Sequence, residues 1–188
     1  MICCSQGNGR TLNYFALVSY IPDPLASFLD ELRLDLMPRC NPHAHVTVLP
    51  PRPFTGDVNA AVEAFASEVV AFPPFEVTLG SIEVFPVSNV IYVSISGGET
   101  EIRDLHSRFN VGPLQHECNF PFHPHVTLAQ DFEAEQVAAF LETARKKWAE
   151  YSGPRSFLVE TLSFVHNVAI GQWDDLASVP LAIPSPVA

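Results

Sequence analysis

The sequence predicts an α+β fold made of two duplicated lobes related by a pseudo-twofold axis around one cleft. Three observations carry that expectation. Strand-like and helix-like patterns alternate along the chain. A segment holding two histidines and a threonine recurs 80 residues after its first appearance. And 188 residues, 47% of them hydrophobic, can bury a substantial core without disulfide or metal staples.

The elements follow in order. Tyr14–Ile21 is aromatic and β-branched and is bounded by Pro22 and Pro24, which predicts a strand. Leu25, Phe28, Leu29, Leu32 and Leu36 then recur at helical spacing, with Asp23 as N-cap and Pro24 opening the helix. His45–Leu49 reads as a strand closed by Pro50, Pro51 and Pro53, and a helix follows from Val58 to Val70. Phe75–Phe85 and Val90–Ser96 read as two strands joined around Pro86–Asn89. The second half continues with a helix near Glu101–Phe109, a strand Val126–Ala129 and a helix Ala134–Tyr151. Strands around Ser156–Phe164 and Val165–Ile170 end the series. Most of the 17 prolines punctuate element ends.

The recurrence is the strongest signal. His43-Ala44-His45-Val46-Thr47-Val48-Leu49 is matched by His123-Pro124-His125-Val126-Thr127-Leu128-Ala129. Each copy follows a proline-containing loop and precedes a helix rich in Ala and Val. Residues two apart in a strand face the same side, so His45 shares a face with Thr47, and His125 with Thr127, while the intervening valines face the core. Two such strands related by a pseudo-twofold axis aim two imidazoles and two hydroxyls into one cleft.

Imidazole is the side chain that donates or accepts a proton near neutral pH. With one on each side of a phosphorus centre, one activates the attacking oxygen and the other protonates the leaving oxygen. The threonine hydroxyls hydrogen-bond the non-bridging oxygens. A 2′,3′-cyclic phosphodiester suits this constellation, and ligation is the reverse of its opening. His43 and His123 share the parity of the motif histidines, so four convergent imidazoles forming a metal site are the rival reading. The threonines have no place in such a site, and Pro42 and Pro124 put these histidines at strand starts. No metal and no cofactor are therefore expected. Non-catalytic binding of nucleotides or RNA ends, or a protein-interaction scaffold, are the non-enzymatic alternatives.

HVTV at 45–48 and HVTL at 125–128, on a two-lobed αβ chain of this size, resemble the paired motifs of the 2H phosphoesterase superfamily, with the bacterial 2′-5′ RNA ligase/cyclic phosphodiesterase branch nearest. The resemblance covers residues 13–172. It implies that His45 and His125 are the acid/base pair and that Thr47 and Thr127 bind phosphate. It also implies two antiparallel sheet lobes with outer helices flanking a water-filled cleft, and substrates with 2′,3′-cyclic or 2′-5′ phosphodiesters. Arg52, in the proline-stiffened segment after the first motif, is either a solvated loop residue or a guanidinium held over the cleft mouth to meet a distal phosphate. Phe54, Phe85, Tyr92 and Phe132 are candidates for stacking on a base, with none assigned. His106, His116 and His166 read as surface or locally hydrogen-bonded residues.

Ten Lys+Arg against 21 Asp+Glu give a net charge of −11, spread over both halves. That excludes an extended nucleic-acid track, which needs clustered cations, and leaves a small nucleotide or an RNA terminus carrying a cyclic phosphate as the expected partner. No apolar run is long enough to span a membrane, and Met1–Asn13 lacks the marks of a secretory signal. Cys3, Cys4, Cys40 and Cys118 show no CxxC spacing, so reduced thiols in a cytoplasmic protein are expected. The expected division is a leader over 1–12 and one two-lobed domain over 13–172. Its lobes fall near 13–97 and 98–172, with exchange of strands between them left open. A loose tail covers 173–188.

Overall fold

Apolar and β-branched runs form the strands, and leucine or valine stripes form the helices. A computed structural model describes residues 14–53, 56–69, 72–118, 120–169 and 172–182. The predicted leader, Cys3, Cys4 and Phe54 lie outside them. In order the elements are β1 (Tyr14–Tyr20), α1 (Leu25–Leu36), β2 (His45–Pro53), α2 (Val58–Val69), β3 (Phe75–Val84), β4 (Ile91–Gly97) and α3 (Glu99–Phe109). They continue with β5 (His125–Ala129), α4 (Val137–Glu150), β6 (Ser156–Val159), β7 (Thr161–Ala169) and β8 (Gln172–Pro180). The leucine stripe of α1 is buried as its spacing predicts, but Pro24 rather than Asp23 is the N-cap residue and the helix opens at Leu25; Asp23, one residue earlier, still accepts the Ser27 amide at 3.0 Å and its hydroxyl at 2.6 Å.

Two four-stranded antiparallel sheets result, ordered β2-β1-β7-β8 and β5-β4-β3-β6. The motif strands β2 and β5 occupy one edge of each sheet, β1 and β4 lie beside them, and β7 and β3 come next. The duplication is therefore a strand-helix-strand-helix unit, β1-α1-β2-α2 in the first half and β4-α3-β5-α4 in the second, with one sheet built around each. After α2 the chain leaves for the second sheet as β3, and after α4 and β6 it returns to the first as β7. This corrects a division at 97/98. The first sheet combines residues 14–53 with 161–180, while the second lies within 75–159, because the β3–β4 hairpin pairs with β5 and β6.

Two further expectations are corrected. β2 does not stop at Pro50 but runs through three prolines, which an edge strand tolerates because one side of its backbone needs no ladder donors. The tail expected from 173 is largely β8, paired with β7 from Thr161↔Pro180 to Ala169↔Gln172. Its burial pattern is mostly exposed, which is why no apolar alternation marks it.

The helices knit the halves together. α1 packs against β5 and α4, α3 against β2, α2 against β7 and β8, and α4 against β3 and β4. One hydrophobic core spans both sheets and all four helices. Among the described residues no helix is long and apolar enough to cross a membrane.

Candidate active site

Strand parity places the motif side chains as the sequence predicts. Val46, Val48, Val126 and Leu128 are buried in the core, while His45, Thr47, His125 and Thr127 are half-buried on the opposite faces. Residue by residue, the burial pattern over 41–50 is identical to that over 121–130. β2 and β5 contact one another, so the two sheet edges bring the motifs together.

Both imidazoles are held alike. Nδ1 of His45 lies 2.6 Å from the His43 carbonyl, and Nδ1 of His125 lies 2.7 Å from the His123 carbonyl. A carbonyl only accepts, so Nδ1 carries the proton in each ring and Nε2 is left for proton transfer. Burial pushes the His45 imidazole down to about 4, helped by the positive charges of Arg33, His43 and His125 and opposed by its carbonyl bond. His125 is also lowered, first by burial and then by the charge on His123. Both rings are therefore neutral near pH 7 before an anion arrives.

Beside each histidine stands a tyrosine anchored by a carboxylate. Tyr20 on β1 is directly opposite His45, meets its ring edge-on at 6.5 Å, and donates its hydroxyl to Asp175 of β8 at 2.6 Å. Tyr92 on β4 is opposite Thr127, meets His125 edge-on at 5.3 Å, and donates to Glu83 of β3 at 3.1 Å. Burial and the carboxylates raise both phenols, Tyr92 to about 12, so both remain protonated donors. Sequence reasoning missed Tyr20, Asp175 and Glu83 because their partners are distant in the chain. Phe85 stacks on Tyr92 at 4.1 Å and faces His125 edge-on at 5.1 Å. Phe132 instead packs on Phe140.

The four-imidazole site does not form. His43 stacks flat on Tyr20 at 3.7 Å, and His123 faces Phe85 and Tyr92 edge-on. Among the described residues no group of three or more His, Cys, Asp or Glu side chains is placed to hold a metal ion.

Arg52 is neither solvated nor over the cleft mouth. It lies within β2 and is 2% exposed. It donates from Nε to the Pro50 carbonyl at 2.9 Å, and from Nη1 to Asn110 Oδ1 and the Leu114 carbonyl at 2.6 Å each. Burial lowers the guanidinium to about 10, and Nη2 is sealed without a partner. Its bonds tie β2 to the segment after α3. His106 is local too: Nδ1 donates to the Val48 carbonyl at 2.8 Å and the ring stacks on Phe122 at 3.8 Å. His166 stacks on Phe15 at 4.4 Å.

The family model of the 2′-5′ RNA ligase superfamily matches residues 21–169, which include both motifs. The chain belongs to that superfamily. A protein of Oceanobacillus iheyensis named as a phosphoesterase is 32% identical over 69 residues, 36% of this chain and 40% of its own length. One from Staphylococcus aureus, named likewise, is 29% identical over 94 residues, 49% of this chain and 55% of its own. The chain thus aligns with about half the length of these relatives or less. Crystal structures of E. coli LigT share the fold. The apo form has a TM-score of 0.63 at 16% identity, covering 92% of this chain and 99% of that one. The form complexed with 3′-AMP has 0.61 at 18%, covering 90% and 98%. The two-sheet α+β architecture is the one this chain shares with those structures.

Proposed function

We propose that this member of the superfamily is a metal-independent phosphoesterase acting on 2′,3′-cyclic or 2′-5′ phosphodiesters of nucleotides or RNA ends. One observation carries the reading: His45 and His125 sit on abutting edge strands, each with Nδ1 bound to the carbonyl two residues earlier and a threonine two residues later. In ring opening, Nε2 of one imidazole takes a proton from water as its oxygen bonds to phosphorus. The other, protonated when the anionic substrate binds, gives its Nε2 proton to the ribose oxygen as the P–O bond breaks. The product leaves with one proton moved from each side, and exchange with solvent restores the pair. A ribose 5′-hydroxyl in place of water gives ligation by the same steps. Thr47 and Thr127 donate to the non-bridging oxygens, where charge grows in the transition state. Acid, base and both anion donors are side chains, so no step calls for a metal ion. The E. coli LigT complexes with 3′-AMP, ATP and NADP+ support ligands of nucleotide size.

Incubation with a nucleoside 2′,3′-cyclic phosphate and a short RNA ending in one tests the reading. His45→Ala and His125→Ala are each expected to lower turnover by about 10²–10⁴-fold, the range for a lost acid or base. Binding without turnover in the parent protein, or full activity in both variants, would overturn it.

A further inference from the structure

The upstream histidine of each H-x-H-x-T segment supplies neither proton nor hydroxyl to the proposed reaction. Its backbone carbonyl matters, however: the His43 and His123 carbonyls accept from Nδ1 of His45 and of His125, at 2.6 and 2.7 Å. Neither carbonyl belongs to a strand. β2 begins at His45 and β5 at His125, and the pairing ends at Tyr20↔His45 and Ser94↔His125, so each upstream histidine lies two residues beyond the last pair.

What the ladder does not hold, the side chain does. The His43 ring lies flat on Tyr20, with centroids 3.7 Å apart and planes 8° apart, and the Tyr20 hydroxyl is tied to Asp175 of β8. The His123 ring stands edge-on to Phe85 at 5.3 Å and to Tyr92 at 5.6 Å; those two rings stack on one another, and Tyr92 is tied to Glu83 of β3. Both upstream histidines are exposed, so their rings serve no core packing. The two holds are not copies of each other. Tyr20 pairs with His45, whereas Tyr92 pairs with Thr127 and the residue opposite His125 is Ser94. Different aromatic settings thus seat the same residue in both halves.

We propose that His43 and His123 are positioning residues: their rings, seated against the anchored tyrosines, fix the carbonyls that keep His45 and His125 in the Nδ1–H tautomer with Nε2 free for the substrate. A neutral imidazole otherwise exchanges its proton between the two nitrogens, and a ring with that proton on Nε2 cannot act as a base there. The device needs the flat upstream ring and not its proton.

The test reads the ring-nitrogen NMR shifts of His45 and His125 at pH 8, where both are neutral, assigned with His45→Gln and His125→Gln. Both rings of the parent are expected in the Nδ1–H form. His43→Ala is expected to move the His45 Nε2 shift toward its protonated value by roughly a third of the span between the two states or more, leaving His125 in place. His123→Ala should do the reverse. His43→Phe keeps a flat ring on Tyr20 and should keep the parent shifts. Tyr20→Leu, which removes the seat and leaves His43, replaces the alanine variant if that one does not fold. An unmoved His45 tautomer in the folded variant, or a change in His43→Phe equal to that in His43→Ala, would overturn the proposal. Only the kinetic arm rests on the phosphoesterase reading. There His43→Ala should lower kcat on a nucleoside 2′,3′-cyclic phosphate by about 10–100-fold with KM within about twofold, and His43→Phe should restore it. A raised KM with kcat and tautomer unchanged would make His43 a substrate contact and overturn the positioning role. Absence of turnover in the parent would overturn the phosphoesterase reading alone and leave the tautomer result standing.

Discussion

Each ring of the histidine pair is oriented by one backbone bond, so its proton affinity is set by surroundings that a titration can read. With both imidazoles pressed below 6.5, kcat/KM for cyclic-phosphate opening is expected to follow a bell centred below pH 6.5, whose two apparent constants belong to the coupled pair. A plateau extending through pH 8 would contradict that. His45 also has a stability consequence. Its folded-state value of about 4 lies below the unfolded value near 6.5. Between those pH values the unfolded chain binds a proton that the folded chain excludes. The stability associated with neutral His45 is therefore complete above about pH 6.5 and is lost as pH falls toward 4. Urea midpoints measured from pH 4.5 to 7.5 should fall on acidification, and His45→Gln should flatten the slope. The motif residues themselves were legible because a strand has a period of two, so H-x-T alone says which side chains share a face. Tyr20, Asp175, Glu83 and Arg33 were not, because they are selected by cross-strand pairing and by a helix crossing between halves, which leave no local pattern.

At the scale of elements, β2 combines a site face with a structural clamp. His45 and Thr47 open the strand, and Arg52 near its end fastens the strand to the segment between α3 and β5. Asn110 Oδ1, which accepts from Arg52, also accepts the His116 amide at 2.9 Å, so the clamp shapes that segment. Arg52→Leu would leave the Pro50 and Leu114 carbonyls without this donor while removing a buried charge that has no carboxylate partner among the described residues. The net expected effect is destabilisation by about 1–3 kcal/mol, read as a lower unfolding midpoint, with faster amide exchange at His116. KM for a cyclic nucleotide should change little, because the guanidinium is sealed from solvent; a large rise in KM with unchanged stability would return Arg52 to substrate binding. The sequence pointed to a loop here because three prolines in four residues normally end a strand. That signal assumes ladder bonds on both sides, and β2 has a neighbour on one side only. β8 escaped notice for a related reason: an edge strand with few buried side chains carries no alternation to read.

For the whole molecule, the duplication was visible and the partition was not, since hydrophobic period identifies a strand without naming its partner. The chain passes from the first sheet to the second as β3 and back as β7, and α1 and α3 pack against the motif strand of the other sheet, so the two motif strands meet between sheets that share one hydrophobic core. Around them the chain carries −11, with acidic residues outnumbering basic ones in both halves. A long RNA meets a net repulsive field and releases few counterions on binding, whereas one terminal phosphodiester needs only the donors of the site. A gel-shift titration at 20 mM salt with an RNA of about 50 nucleotides is therefore expected to show no retained complex at micromolar protein. The same RNA ending in a 2′,3′-cyclic phosphate should still be opened at its end. Raising salt from 20 to 150 mM shortens the screening length from about 20 Å to about 8 Å and weakens the repulsion. Hence kcat/KM on the long RNA should rise over that range, while on a cyclic mononucleotide it should change much less. A steep loss of RNA affinity or of kcat/KM with added salt would mean that the protein holds RNA through many phosphate contacts, and the terminal mode of binding would be wrong.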